Sequence, residues 1–128
     1  MQLKIEERQA GEVTLLELEG RLTLGDETTA YRERVKQLLD ARRNKIIVRL
    51  QKISRLDSAG VGILLASVKS ARSAGGDLRL LELSQQVRDV LTLIGVATKP
   101  DVVRIFLSEQ EALDSFPPTM APSGVPPV

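Results

Sequence analysis

The stretch "KIIVRLQKISRLDSAGVGILLASVKSARSAGGDLRLLEL", residues 45–83, decides the fold expected for this chain. Residues 45–50 form a short, β-branched and nearly continuous apolar run, which is typical of a strand buried on both faces. Apolar residues then recur at helical spacing up to Gly75 and Gly76, which end the predicted helix. Residues 77–83 predict the next strand. The stretch therefore predicts two parallel strands joined by a right-handed helical crossover.

Apolar periodicity on the amino-terminal side of this unit changes from two residues to helical spacing. Alternating residues near Ile5 and Leu16 predict two strands, which the turn "QAGE" joins into a hairpin. From Asp26 onward the spacing indicates an amphipathic helix that ends near Arg43. Residues 26–29 look like a helix start stabilised by acidic side chains and hydroxyl caps, and they could also form part of a docking rim.

On the carboxyl-terminal side, Ser84 is predicted to cap a third helix that Gly95 ends. Residues 102–107 predict a last strand, and Ser108 with Glu111 forms a capping box before a short helix. The fold class is therefore α/β, with a mixed, mostly parallel β-sheet, an N-terminal β-hairpin and about four α-helices.

Length and proline content divide the chain into one domain and a tail. A chain of 128 residues suits a single core, which we place in residues 1–116. Residues 117–128, "PPTMAPSGVPPV", hold five of the six prolines and no charged side chain. This composition predicts a disordered tail.

Composition excludes most kinds of chemistry. Without Cys or His the chain lacks a disulfide framework, the usual metal ligands and the base of a catalytic triad, so we predict no metal, no cofactor and no enzyme. Basic residues number 18 and acidic residues 17, so no bulk charge attracts nucleic acid or an anionic membrane. No apolar run has the length of a signal peptide or a membrane span, which predicts a cytoplasmic protein.

The motif "LDSAGVGILL", residues 56–65, leaves the carboxyl end of the predicted central strand, where ligands and modifications usually sit in α/β sheets. Asp57 and Ser58 suit a plain helix cap. Alternatively, Ser58 is a regulatory switch and not a structural cap.

Other kinds of site match the motif poorly. Residues 60–65 supply only the first half of a dinucleotide-binding fingerprint, and they lack the lysine of a P-loop. A nucleophilic Ser58 would need a base, and Lys52 is the only nearby candidate. The basic run at residues 41–45 has no interleaved aromatic residues, which favours a solvated helix face over nucleic-acid binding.

Four stretches together carry a family resemblance: "EGRLTLGDETTAYRERVKQLL", the opening stretch at residues 45–83, "VRDVLTLIGV" and "SEQEAL". They resemble the STAS domain family, specifically bacterial anti-sigma factor antagonists, over about residues 2–116. The most specific element is the pattern Asp-Ser-small-Gly-aliphatic-Gly, which residues 57–62 match at the start of a helix after an apolar strand.

This resemblance implies regulation by partner switching. An unmodified antagonist binds an anti-sigma factor, often a serine kinase of the histidine-kinase-like ATPase type, and thereby releases a sigma factor. The kinase phosphorylates the motif serine, which corresponds to Ser58, and a phosphatase reverses the modification. Catalysis, ATP and magnesium belong to the kinase. The partner-binding residues implied for this chain are Asp26, Asp57, Ser58, Ala59, Gly60 and Gly62.

An alternative remains within the same family, because STAS modules also serve as non-phosphorylated scaffolds in sensory complexes, transporter tails and lipid-trafficking machinery. This chain departs from the family pattern at residues 49–51, "RLQ", where an Asp followed by Leu and Ser is common, and at Ala59, which is often Ser or Thr. Arg49, Lys52 and Arg55 predict a more basic approach to Ser58, which would either alter the kinase partner or help to hold a phosphate. The kinase, the sigma factor and the oligomeric state are not specified by the sequence.

Overall fold

Five strands and four helices occupy residues 2–117, the part of the chain that the computed structural model describes. The strands are β1 (Leu3–Ala10), β2 (Val13–Leu22), β3 (Lys45–Leu56), β4 (Asp77–Leu83) and β5 (Ile105–Phe106). The helices are α1 (Asp26–Asp40), α2 (Ser58–Ser73), α3 (Gln85–Leu93) and α4 (Glu109–Asp114).

The strands form one sheet in the order β1-β2-β3-β4-β5. β1 and β2 pair antiparallel as a hairpin, with Leu3 opposite Gly20 and Ala10 opposite Val13. β3, β4 and β5 are each parallel to the preceding strand. The predicted fold class, a mostly parallel sheet with an N-terminal hairpin and four helices, is confirmed.

Each face of the sheet carries its own apolar cluster, because successive strand residues point to opposite sides. Leu16 and Val48 belong to the larger cluster, which α1, α2 and α3 cover. Leu15 and Ile47 belong to a smaller one, where Ala112 of α4 packs. Because α1 follows β2 and α2 follows the parallel strand β3, the N-termini of both helices lie at the carboxyl edge of the sheet.

A buried hydroxyl pair joins α1 to α2. The Tyr31 hydroxyl and Ser67 Oγ are 2.8 Å apart, and Ser67 also donates to the Leu64 carbonyl at 2.6 Å. Burial raises the pKa of Tyr31 well above its ordinary value, so the phenol stays protonated. This pairing satisfies the polar atoms that the two helices bury at their contact.

A charged cluster at the amino end of β4 ties the C-terminal helix to the rest of the domain. Asp77 accepts from Arg72 Nε at 2.8 Å and from Arg79 Nε at 2.9 Å, and Arg79 also donates to Ser115 Oγ and stacks over the Phe116 ring. Burial alone would raise the pKa of Asp77, but the hydrogen bonds from Arg79 and Arg72 outweigh it and hold that pKa below its usual range. The carboxylate therefore stays ionised and paired inside the fold.

Two predicted strand boundaries are wrong. β3 continues six residues past Leu50 to Leu56, pairing with the end of β2 and burying Ile53 and Leu56. The predicted strand at residues 102–107 shrinks to two residues, because the amides of Val102 and Val103 both donate to the Lys99 carbonyl in a turn. The predicted disordered tail, residues 117–128, lies outside the described residues except for Pro117 and stays a prediction.

Candidate functional site

The motif serine lies at the first position of α2, at the end of the central strand. β3 ends at Leu56, and Asp57 is the N-cap, with its Oδ1 accepting from the Gly60 amide at 2.8 Å. Ser58 is the first helical residue and is exposed. The cap that the sequence assigned jointly to Asp57 and Ser58 is therefore made by Asp57, and the serine hydroxyl is presented to solvent.

Asp57 also holds a second segment of the chain. Its Oδ2 accepts from the Leu24 amide at 3.0 Å, which fixes the β2–α1 loop against the N-terminus of α2. The hydrogen bonds from Leu24 and Gly60 lower the pKa of Asp57 below its usual range. The carboxylate is thus the link between the two loops at this edge of the sheet.

The two glycines of the motif have different surroundings. Gly60 is buried, and a Cβ there would clash with the Leu22 carbonyl oxygen and lie 2.7 Å from Leu56 Cδ1. Gly62 is exposed, and a Cβ there would meet no atom within 4 Å. Gly60 therefore lets α2 approach the end of β2, whereas Gly62 keeps the outer surface of the helix low next to Ser58. Any part that Gly60 plays in partner binding goes through the placement of α2.

The start of α1 lies beside the same site. Asp26, exposed, is the first helical residue and follows Leu24 by two positions. The expected acidic first turn is confirmed by Asp26 and Glu27, but the expected hydroxyl cap is wrong. Gly25 is the N-cap with φ 121°, and the Thr28 hydroxyl donates to its carbonyl at 3.1 Å instead of accepting from the helix. Asp26 and Ser58 are thereby accessible at one edge, and Ala59 is half-buried between Ser58 and Gly60.

One exposed residue of this edge was not predicted. Leu24 is 78% exposed in the loop that Asp57 holds. In the sequence, Leu22 and Leu24 continue the alternation of β2, a pattern typical of residues that share a buried face. The departure from that pattern is signalled only by Gly25, whose positive φ turns the chain into α1.

The predicted basic approach to Ser58 is wrong for Arg49. Its guanidinium pairs with Glu82 through Nε at 3.0 Å and with Glu109 through Nη2 at 3.1 Å, although the Nε contact lacks hydrogen-bond geometry. Seven residues of strand, roughly 23 Å, separate Arg49 from the end of β3. Lys52 Nζ lies 3.6 Å from Glu17 Oε2. Arg55, one residue before Leu56, is exposed. Lys52 and Arg55 are both exposed, and Arg55 is the nearer of the two to the motif in the sequence.

Within residues 2–117, no group of three or more acidic side chains is placed to hold a metal ion. Over the same residues, the four helices include none that is long and apolar enough to cross a membrane.

Replacing Asp57 with Ala is expected to lower the free energy of unfolding by about 1 kcal/mol near pH 7, the usual cost of losing an N-cap. The folded-state pKa is lowered, so the carboxylate stabilises the fold at pH values above its unfolded pKa. This contribution disappears as the pH falls from about 4, the ordinary aspartate pKa, through the folded-state pKa. Urea unfolding of both proteins at a series of pH values measures the difference.

The control for this change is Asp26→Ala, which removes an exposed carboxylate from the first turn of α1 without removing a bond between loops. A wild-type advantage over Asp57→Ala that stayed constant down to pH 2 would show that the Asp57 charge does not stabilise the fold.

Comparisons with known proteins agree with this arrangement. The family model of the STAS domain matches residues 4–112. Unphosphorylated SpoIIAA, an anti-sigma factor antagonist, is 23% identical, with a TM-score of 0.72 over 88% of this chain and 95% of its own. Phosphorylated SpoIIAA of Bacillus is 22% identical, with a TM-score of 0.66 over 88% and 98%. An anti-sigma factor antagonist of Mycobacterium paratuberculosis is 15% identical, with a TM-score of 0.73 over 89% and 93%.

These identities are low enough that the solved structures establish the shared fold alone. The family model, in contrast, covers all of the sheet except Leu3, as well as the motif at residues 57–62. This chain belongs to the STAS domain family.

Proposed function

We propose that this chain is an anti-sigma factor antagonist that binds an anti-sigma factor serine kinase and is switched by phosphorylation of Ser58. In the unphosphorylated state it occupies the kinase, and a sigma factor is released. A phosphatase restores that state. The observation that carries the proposal is the separation of roles at the start of α2, where Asp57 caps the helix and Ser58 is left exposed.

The position of Ser58 suits a phosphate within the folded domain. A phosphoserine adds about −1.5 to −2 charges and three acceptor oxygens. At the first position of α2 these oxygens lie near amides without intrahelical acceptors and near the positive end of the helix dipole. The ionised Asp57 is adjacent, but its two oxygens are already engaged with Leu24 and Gly60. We therefore expect the helix N-terminus to offset part of the repulsion between the phosphate and Asp57, so that the domain stays folded when modified.

The same charge acts differently at a protein–protein interface. A partner that packs closely over Ser58 must strip water from the dianion, and that desolvation is not repaid unless the partner supplies matching charges. The accessible surface here includes Asp26, Ser58, the half-buried Ala59 and the open helix surface at Gly62. Small residues beside the serine allow the active site of another protein to approach its hydroxyl.

The chain itself is proposed to have no catalytic activity. The kinase supplies ATP and magnesium for transfer of the phosphoryl group to the Ser58 hydroxyl, so the chain acts as substrate and binding module. The solved structures of SpoIIAA in unphosphorylated and phosphorylated forms support the proposal, since a relative of the same fold exists in both states.

Phosphorylation is expected at Ser58 when the chain is incubated with Mg-ATP and the purified serine kinases of its own organism. Intact-mass and phosphopeptide mass spectrometry should find one added phosphate on Ser58 and none in Ser58→Ala. Ser84 and Ser108 are internal controls, because they also stand at helix N-termini but accept from the Val87 and Glu111 amides as caps. No phosphate on Ser58 with any of these kinases, together with stable binding to another protein, would favour a non-phosphorylated scaffold instead.

A further inference from the structure

An exposed leucine lies next to the candidate phosphorylation site. Leu24 is 78% exposed, while Leu22, two residues earlier, is fully buried. A single exposed apolar side chain is common on protein surfaces and by itself indicates nothing. What distinguishes Leu24 is that its backbone is held in place by a side chain from a distant part of the sequence.

That side chain is Asp57, the cap of the helix that begins with Ser58. One of its carboxylate oxygens accepts from the Leu24 amide at 3.0 Å and the other from the Gly60 amide at 2.8 Å. The Leu24 amide and the Gly60 amide in the first turn of α2 are thus bridged by a single carboxylate, although Leu24 and Asp57 are 33 positions apart in the sequence. The backbone of the exposed leucine is thereby held beside the helix turn that begins with the exposed serine.

We propose that Leu24 is the apolar anchor of the partner interface, inserted into an apolar pocket of the kinase beside the site that receives Ser58. Asp57 is the positioning residue that fixes the backbone of Leu24 relative to the helix turn that carries Ser58. The proposal rests on the proposed function, because the occupant of this surface is the kinase that phosphorylates Ser58.

Leucine is less common than Trp, Tyr or Arg among the side chains that dominate binding, so the assignment rests on the placement of Leu24. Binding energy is concentrated in a few central side chains that become fully desolvated. A side chain whose backbone is already fixed loses less conformational entropy on binding than one on a free loop. Leu24 supplies the buried apolar area, and Ser58 supplies the polar group whose modification changes the affinity. Separate residues therefore provide the affinity and its regulation.

The test measures the affinity of the unphosphorylated full chain for the purified kinase that phosphorylates it, by isothermal titration calorimetry. Leu24→Ala is expected to bind at least tenfold more weakly, a loss of about 1.4 kcal/mol. Leu24→Met, which keeps the apolar volume, is expected to bind within threefold of wild type. The matched control is Leu93→Ala near the end of α3, which removes an equally apolar and 86% exposed side chain, and it should leave the affinity unchanged.

Thermal unfolding should be the same for all four proteins, since Leu24 and Leu93 are exposed. Wild-type affinity in Leu24→Ala would overturn the anchor while leaving the proposed function intact. Loss of self-association in Leu24→Ala, seen by sedimentation, with unchanged kinase binding would show that a second copy of this chain occupies the surface and would also overturn it. Failure of the wild-type chain to bind any of the kinases would overturn the proposed function itself, and the anchor with it.

Discussion

Phosphorylation of Ser58 is expected to weaken binding to the kinase about a hundredfold, a loss of about 3 kcal/mol. Ser58 stands exposed at the first position of α2, so a partner that closes over it must desolvate the added dianion. Calorimetric titration of the kinase with the phosphorylated and unphosphorylated chains measures the difference. Ser58→Ala should bind like the unphosphorylated chain and resist the kinase, and Ser58→Asp should bind more weakly than Ser58→Ala.

Ser70→Asp is the matched control for added charge, because Ser70 is an exposed serine on α2 twelve residues further along, roughly 18 Å from Ser58. It should bind the kinase as wild type does. The melting temperature should change little on phosphorylation, since the helix N-terminus accommodates an anion. Equal affinities for Ser58→Ala and Ser58→Asp would count against the switch.

Gly60→Ala is expected to lower the free energy of unfolding by about 3 kcal/mol, the upper end of what overpacking costs. The new Cβ would clash with the Leu22 carbonyl oxygen, which is backbone and cannot rotate away, and it would lie 2.7 Å from Leu56 Cδ1. Relief requires α2 to move off the ends of β2 and β3. Thermal unfolding should show a decrease in melting temperature of roughly 10 °C.

Gly62→Ala is the matched control, since it makes the same change two residues further along the same helix into open space. Alanine is the better helix former, so this variant should be more stable than wild type by about 0.5 to 1 kcal/mol. Because the propensity gain applies to both positions, the difference between the two variants measures the steric contact alone. Two variants of equal stability would show that the close approach at Gly60 is not required.

The order of the elements could be predicted from the sequence because the signals are local. The bounds of β4 follow from Gly76 on one side and the capping Ser84 on the other, and both kinds of signal act within a few residues. The end of β3 was missed because its pattern changes from burial on both faces to burial of Ile53 and Leu56 among polar residues. Without the partner strand β2, that second half looks like a loop.

The candidate site likewise contains features that local sequence signals predict and features that they do not. The motif predicted that Ser58 lies at a helix start, but it gave no reason to distinguish Gly60 from Gly62. Their different steric surroundings depend on the position of the Leu22 carbonyl, which only the structure shows. The placement of the Leu24 backbone could not be found from the sequence, because it depends on a hydrogen bond to Asp57, 33 positions away. Such pairings between distant segments leave no periodic trace in either one.

The residue type at position 57 follows from the number of chain segments to which its side chain is hydrogen-bonded. Ser84 and Ser108 cap α3 and α4 adequately with one hydroxyl each, because each serves a single helix. Position 57 must accept from two amides that approach from different directions, one in its own helix and one in the β2–α1 loop. A carboxylate offers two separate oxygens for this, whereas a serine or threonine hydroxyl offers one. The aspartate at position 57 is thus required because two acceptor oxygens are needed there. A hydroxyl residue at this position would cap the helix but would no longer hold the loop.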